Sequence, residues 1–202
     1  SEMCIETDTY DADGIRKTKT VPINRRGLTC TYTFVTQNGK VVRQSWRTES
    51  IDFFYDESGR PFAFNYTPEG STPNTYYYIL NLQGDVVQII DEGGVPQAEY
   101  VYSPWGEIIS AEGDLAEINP LRYRGYYYDS ETGFYYLQSR YYDPENHRFI
   151  NADSYASTGQ GFLGVNMFAY CSNNPVNNFD NDGKRQGHAL LLYTSDAADD
   201  SL

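Results

Sequence analysis

Cysteine is scarce in this sequence, and the positions of its few cysteines exclude two common ways of stabilising a small fold. Cys4, Cys30 and Cys171 are odd in number, with no Cys-x-x-Cys spacing and no His close by. A disulfide framework and a zinc site are therefore both unsupported, and we predict neither a metal nor a cofactor. The expected role of these residues is that of small buried apolar side chains.

Long hydrophobic runs and an excess of basic residues are also missing. The longest late apolar run, residues 189–193, is far shorter than the roughly 18 residues that a membrane helix requires, so we expect no membrane span. The 15 Lys and Arg residues against 28 Asp and Glu give a net charge of -13, which repels phosphate backbones. We therefore expect no nucleic-acid partner.

Sequence signals for secretion and for common catalytic sites are absent as well. Ser1 is followed by no charged and then apolar leader, so the sequence is expected to be a fragment of a longer protein. No Ser/His/Asp spacing, phosphate-binding loop or metal cluster is present.

Tyrosine, in contrast, is abundant, with 20 residues in a chain of 202. Many lie between residues 121 and 153, where turn signals at 129–133 and 143–146 divide the stretch. Residues 134–142 are predicted to form one strand with aromatic side chains on both faces, because successive side chains alternate. A strand coated on both faces is typical of a larger β-assembly that sandwiches it.

A four-residue turn that begins with a short polar residue and ends in Gly recurs along the first half of the chain. The five turns are residues 11–14, 36–39, 56–59, 81–84 and 103–106. This pattern predicts type I turns between short alternating strands, that is, stacked hairpins. Taken alone, it also fits a generic β-sandwich or a Tyr-rich sugar-binding repeat in which Trp46 and Trp105 contact the sugar, although hairpin aromatics more often pack.

The Tyr-rich stretch resembles the terminal core of the Rhs/YD-repeat proteins. The resemblance rests on the ordered motifs Arg122-Tyr123-Arg124-Gly125, Asp129 to Gly133, Arg140-Tyr141-Tyr142-Asp143-Pro144, Arg148-Phe149 and Asn173-Asn174-Pro175. Two of the earlier turns carry the Tyr-Asp pair that names the repeats, at Tyr10-Asp11 and Tyr55-Asp56. The resemblance continues to about residue 183.

The resemblance implies an all-β fold in which stacked hairpin repeats form part of a spiral β-shell. Residues 1–120 would be YD-type repeats, and 121–183 the terminal core that closes one end. Residues 184–202 would be a truncated effector start or non-native sequence. Helix signals are scarce, and only residues 166–171 are predicted to form a short helix, capped by Asn166 and ended before Pro175.

The implied function is to contain and present a C-terminal effector in a bacterial toxin that is secreted or delivered at the cell surface. Its partners would be its own effector domain, the upstream YD shell and a target-cell surface. The alternative is a cell-surface adhesion or glycan-binding β-repeat, akin to teneurin shells, with no cleavage and no cargo.

The resemblance also implies at most one enzymatic activity, an intramolecular aspartyl autoprotease. In the toxin-bearing branch of the family, paired Asp residues of the terminal core cut the chain after the second motif. Carried over by position, the pair is Asp153 and Asp180, and the cut would fall near Gly183-Lys184. Two carboxylates held close share a proton, so that one activates water while the other protonates the carbonyl.

The sequence departs from the family pattern at both Asp residues. Ser154 and Asn181 stand where the family has Pro. The structural alternative is that residues 180–183 form a type I turn with Asp first and Gly fourth, while Asp153 caps a turn. Asp182 is a further candidate that could replace Asp180 in the pair.

Two basic residues are assigned a supporting role. Arg140 and Arg148 lie among Tyr rings, where a guanidinium can stack on an aromatic face or pair with Asp143 and Asp153.

Overall fold

The structure is a computed structural model that describes residues 7–23, 28–152, 166–180, 182–184 and 186–188. β-strands dominate the described residues, as the sequence predicts. In chain order, β1 to β16 are Thr7–Tyr10, Arg16–Pro22, Thr29–Gln37, Lys40–Trp46, Glu49–Tyr55, Pro61–Thr67, Asn74–Leu80, Val86–Asp91, Pro96–Tyr102, Ile108–Glu112, Tyr127–Asp129, Phe134–Tyr136, Tyr141–Asp143, Arg148–Phe149, Asn178–Asp180 and Gln186–His188.

The first ten strands form a single sheet whose strand order follows the chain from β1 to β10. Every neighbouring pair is antiparallel, so each strand is a hairpin partner of the next. The later strands form a four-stranded sheet, β11 to β14, and a two-stranded sheet, β15 and β16. No helix of the described residues is long and apolar enough to cross a membrane.

Four of the five predicted turns are confirmed in detail. In each, the Gly N–H donates to the carbonyl of the first turn residue at 2.9–3.0 Å, and the Gly φ lies between 77° and 89°. The side chain of the first residue accepts a backbone N–H four positions on, with Asp11, Asp56, Asn81 and Ser103 as acceptors at 2.8–3.2 Å. The short polar first residue therefore accepts a backbone N–H that closes the turn, and the Gly adopts the left-handed conformation that the turn requires.

The fifth turn differs from the prediction. Strands β3 and β4 pair up to Gln37 and Lys40, so only Asn38 and Gly39 lie between them. Both take left-handed φ values, 50° and 75°. Asn-Gly is the favoured sequence for this two-residue hairpin turn, which matches the twist of the flanking strands.

One face of the ten-stranded sheet is covered by the C-terminal part of the chain. The sheet contributes buried apolar side chains, Phe34, Ile51, Phe64, Val86, Ile89 and Tyr100 among them, which pack against Leu115, Leu121, Tyr127 and Tyr136. The two aromatic faces predicted for the strand after residue 133 are confirmed. Tyr136 belongs to this core, whereas its neighbour Tyr135 belongs to a second one.

The second core consists mainly of tyrosines, namely Tyr123, Tyr126, Tyr135, Tyr142 and Tyr170, with Leu137, Phe149 and Cys171. Three of their hydroxyls donate to successive carbonyls of the turn between β9 and β10. Tyr123 reaches Pro104 at 2.9 Å, Tyr142 reaches Trp105 at 2.7 Å and Tyr135 reaches Gly106 at 2.8 Å. The tyrosine hydroxyls thus satisfy backbone acceptors of this turn, which phenylalanine could not do.

A buried ion cluster joins the sheet to the C-terminal part of the chain. Asp129, at the end of β11, accepts from both Arg16 Nη atoms at 2.7 and 3.1 Å and from Lys19 Nζ at 2.7 Å. Arg16 and Asp129 are each only 2% exposed. The Arg16 guanidinium also lies over the rings of Phe34, Tyr127 and Tyr136 at 4.5–5.1 Å.

The prediction of one continuous strand over residues 134–142 is wrong. Phe134–Tyr136 and Tyr141–Asp143 are separate strands, and residues 137–140 form a tight turn in which Gln138 has a φ of 63°. The side chains of Ser139 and Arg140 do not alternate across a sheet, because they form hydrogen bonds with residues 180–183. Tertiary hydrogen bonds here outweigh local alternation.

The predicted short helix at residues 166–171 is not found. The Asn166 side chain accepts the N–H of Phe168 at 3.1 Å, and Ala169 forms a β-bridge with Arg148. Cys171–Asn173 form a single 3₁₀ turn with positive φ at all three residues. Asn166 therefore caps a turn, an alternative that Asn offers the backbone in competition with a helix.

We predict that Asp129→Asn destabilises the fold by about 3–5 kcal/mol, because it removes the buried carboxylate that Arg16 and Lys19 share. Arg16 is then left with only the longer contact to Asp8 at 3.5 Å, and Lys19 with Glu131. The measurement is the free energy of unfolding in urea. Asp52→Asn is the matched control, since Asp52 pairs with Arg43 at 2.9 Å at the surface and its loss should cost less than about 1 kcal/mol. Equal losses for the two variants would contradict a central role for the buried cluster.

Candidate functional site

Asp180 lies at the end of β15 and is 2% exposed. Its N–H donates to the Tyr126 hydroxyl at 3.0 Å, and that hydroxyl bonds to the hydroxyl of Tyr170 at 3.1 Å. The tyrosine core therefore fixes the backbone from which the Asp180 carboxylate projects.

The Asp180 carboxylate has a partner on each oxygen. Oδ1 accepts the N–H of Gly183 at 2.8 Å, and Oδ2 lies 3.2 Å from an Nη atom of Arg140. Burial raises the pKa of Asp180, the charge of Arg140 opposes that rise, and the neighbouring Asp182 adds to it. A buried carboxyl whose proton is held more tightly than usual is typical of residues that transfer protons.

Arg140 contacts several separate parts of this region. Its guanidinium lies over the Phe149 ring at 3.6 Å, and one Nη donates to the Met167 carbonyl at 3.3 Å. Its Nε donates to the carbonyl oxygen of Gly183. The same side chain therefore contacts the Asp180 carboxylate and the backbone three residues further on.

Gly183 occupies a space that admits no side chain. Its φ is 72°, and a Cβ atom there would lie 2.7 Å from Ser139 Oγ and 2.9 Å from the Leu137 carbonyl oxygen. Ser139 also holds the preceding carbonyl, because its Oγ donates to Asp182 O at 2.7 Å. Lys184 is exposed, and its N–H donates to Asp182 Oδ1 at 2.9 Å.

The structure brings together some of the residues expected from the sequence and leaves others apart. Asp180, Arg140 and Gly183 are in direct contact, with Lys184 next in the chain. Arg148 lies on β14 with its guanidinium over the Phe168 ring at 4.9 Å, a different contact from those of Arg140. Asp153 lies outside the described residues, so its pairing with Asp180 stays a prediction.

Sequence reasoning misses Ser139 and Tyr126 as parts of this region. Alternation places Ser139 on a strand face, and only its position next to Arg140 in the motif hints at another role. Tyr126 is one of many tyrosines in the stretch, and no local pattern distinguishes the one whose hydroxyl meets Asp180.

The two tryptophans have packing partners. Trp46 lies parallel to the Tyr66 ring with centroids 6.2 Å apart, and Trp105 stacks on His147 at 4.5 Å. Both indoles are half-buried. Within the described ranges, no group of three or more His, Cys, Asp and Glu side chains is arranged to hold a metal ion.

The fold and this region define a class of protein. An antiparallel sheet that adds one hairpin after another, with one face covered by a tyrosine-rich C-terminal core, is a segment of a repeat-built β-shell.

Comparison with known proteins gives the family. The family model described as Teneurin YD-shell matches residues 45–176. The chain therefore belongs to the Rhs/YD-repeat family of β-shell proteins.

Two relatives and one solved structure illustrate the similarity. The chain is 36% identical over 177 residues to the tRNA3(Ser)-specific nuclease WapA of Bacillus spizizenii, covering 86% of this chain and 7% of that protein. It is 29% identical over 125 residues to the toxin protein Tse5 of Pseudomonas aeruginosa, covering 62% of this chain and 9% of that protein.

The solved structure is a crystal structure described as TcdB2-TccC3-TEV, which matches with a TM-score of 0.72 at 22% identity, over 91% of this chain and 9% of that one. At this level of identity the match shows the fold alone. The chain thus spans less than a tenth of the length of these proteins.

We predict that the stability difference between the parent chain and Asp180→Asn changes with pH. Because the folded-state pKa of Asp180 is raised, its stabilising contribution is present at low pH and is lost as pH rises through that pKa. The variant should therefore gain stability relative to the parent as the pH rises above about 4, the ordinary pKa of Asp, as measured by urea unfolding. A difference that is constant over this range would contradict the raised pKa.

Proposed function

We propose that the chain is a late wall segment and the terminal plug of a bacterial Rhs/YD toxin shell, which encloses and presents a C-terminal effector. The observation that carries this proposal is the attachment of residues 182–184. Arg140 and Ser139 hold the carbonyls of Gly183 and Asp182 at the core that covers one sheet face. Chain that continues past Lys184 would begin at this anchored point.

The relatives support the proposal in general terms. One is named a tRNA-specific nuclease and another a toxin protein, and the chain covers only a small part of each. These proteins have different named activities but share the segment that this chain matches. This is expected if the shell wall and plug are common to them and the activity resides in a separate effector domain. We extend to this chain the partners that such an arrangement requires, namely its own effector, the upstream shell and a target-cell surface, together with secretion or surface delivery.

The division of the chain is part of the same proposal. Residues 1–120 would supply wall repeats and residues 121–183 the plug. Within the stretch 184–202, Gln186–His188 form β16 and pair with β15, and residues 189–202 lie outside the described ranges.

The proposal has a finer part, self-cleavage between Gly183 and Lys184 by Asp153 and Asp180. It is supported by the buried Asp180 carboxyl, whose proton is held tightly, and by its contact with Gly183. Removal of the link after the plug would leave the effector enclosed but no longer covalently attached.

Containment is tested by limited proteolysis of the full-length protein. We predict that the segment after Lys184 is degraded at least about tenfold more slowly than the same segment produced alone, because the shell excludes the protease. Asp129→Asn weakens attachment of the plug and should therefore increase degradation of the segment after Lys184. The surface variant Asp52→Asn should leave that degradation unchanged. Equal degradation of the enclosed and isolated segments would contradict the proposal and favour an adhesion role without cargo.

Self-cleavage is tested separately by the intact mass of the purified full-length protein. We predict a fragment that begins at Lys184 in the parent and its loss in Asp153→Asn and Asp180→Asn. An unchanged cleavage pattern in both variants would remove the two residues from the site. An uncut parent would show that the residues only shape turns.

A further inference from the structure

A cleft lies between the covered face of the ten-stranded sheet and the chain segment 117–131. Strands β2 to β6 supply one wall of this cleft, and the segment supplies the other. Its volume is about 300 Å³, near the lower end of the range of roughly 300–1,000 Å³ that small-molecule sites occupy. No residue that lines the cleft belongs to the region around Asp180, so the two are separate sites.

The sheet wall of the cleft carries a row of aromatic rings. Tyr32 and Trp46 are direct cross-strand partners with ring centroids 5.5 Å apart, and Trp46 is nearly parallel to the Tyr66 ring. Glu49 fixes this row, because its two carboxylate oxygens accept Trp46 Nε1 at 3.1 Å and the Tyr66 hydroxyl at 2.5 Å. The rings therefore lie side by side in fixed orientations and do not close around a single point.

The cleft also contains a nearly buried hydrogen-bond donor that the protein does not use. Gln44 is 4% exposed, and its Oε1 accepts the Tyr127 hydroxyl at 2.7 Å. Among the residues that the structure describes, Gln44 Nε2 has no hydrogen-bond partner. An unpaired donor at this depth is costly, so a molecule that accepts from it gains binding free energy.

The position of Lys19 disfavours a cationic ligand. Its ammonium lies 5.2 Å from the centroid of the Tyr32 ring and 5.5 Å from that of Tyr127. These ring faces, which would attract a cation, are therefore already occupied by a charge of the protein itself. A second cation in the cleft would be repelled by this ammonium.

The carboxylates of the cleft disfavour an anion. Glu49 and Glu117 both line it, and neither forms an ion pair within the described part of the chain. The one guanidinium in the lining, that of Arg122, donates to the carbonyls of Ala116 and Asn119 and lies over an aromatic ring. A ligand that suits both sets of charges is neutral and rich in groups that donate and accept hydrogen bonds.

We propose that this cleft binds a pyranose ring of a neutral saccharide. A pyranose has an apolar face of C–H groups, which would pack on Trp46, and a rim of hydroxyls that each donate and accept. The hydroxyls would accept from Gln44 Nε2 and donate to the free lone pairs of Glu49. This inference depends neither on containment of an effector nor on self-cleavage.

The test is saturation-transfer NMR of sugars with the full-length protein, using methyl glucoside, N-acetylglucosamine and the linear hexamer of N-acetylglucosamine. We predict saturable, millimolar binding of at least one of them. Trp46→Ala should weaken that binding by about tenfold or more, because it removes the ring on which the sugar packs. Gln44→Glu keeps the acceptor for Tyr127 but loses the donor, and should weaken binding by about fivefold.

The second tryptophan provides the matched control. Trp105 stacks on His147 and does not line the cleft, so Trp105→Ala should bind the sugars as tightly as the parent does. Thermal unfolding of each variant shows whether the fold persists. Gln44→Glu preserves the shape of the side chain, so it tests the inference even if Trp46→Ala does not fold.

Two outcomes support the inference and distinguish the source of the sugar. A hexamer that binds at least about tenfold more tightly than the single ring indicates a polymeric surface glycan. Equal affinities indicate a free sugar or the end of a glycan chain.

The other outcomes overturn the inference. They are the absence of saturable binding by all three sugars, parent affinity in a folded Trp46→Ala or Gln44→Glu variant, and loss of binding in a folded Trp105→Ala. Saturable binding of tetramethylammonium in place of the sugars would identify a cation site instead.

Discussion

The buried contact between Arg16 and Asp129 sets the position of the C-terminal core over the sheet. The two residues are separated by 113 positions, and their charges meet where both side chains are almost fully shielded from water. A buried charge is tolerated only with its partner at the right distance, so other placements of β11 on the sheet are strongly disfavoured. Hydrophobic packing alone would be less selective, because apolar contacts are non-directional whereas a buried ion pair requires its two charges at one distance.

The sheet could be predicted from sequence because its determinants are local. A short polar residue followed by Gly at the fourth position specifies four of the predicted turns, and alternation indicates the strands between them. The predictions for residues 134–142 and 166–171 are wrong because the conformation of these segments depends on distant partners. Arg140 leaves the strand pattern to reach Asp180, and Ala169 bridges to Arg148. Arg16 lies in an ordinary polar strand, where no local pattern signals its burial.

The candidate site was predictable only in part, through the resemblance of its motifs to the family. Asp180, Gly183 and Arg140 are identified in this way, and the structure brings them into contact. The sequence presents Asp182 only as a substitute for Asp180, and its contact with the Lys184 nitrogen could not be inferred from spacing. Which oxygen faces which N–H depends on the conformation of a turn, and that conformation is fixed by tertiary contacts with residues 137–140.

The strand order has a consequence for how the protein assembles during synthesis. All ten strands of the large sheet pair with their sequence neighbours, so each hairpin can form as soon as it emerges, at a small cost in loop entropy. The contacts of Tyr10 with Tyr141 and of Arg16 with Asp129 can form only after residues 129 and 141 have been synthesised. The sheet is therefore expected to grow from its N-terminal strand onward, with its apolar face exposed until the tyrosine-rich core has been made and covers it.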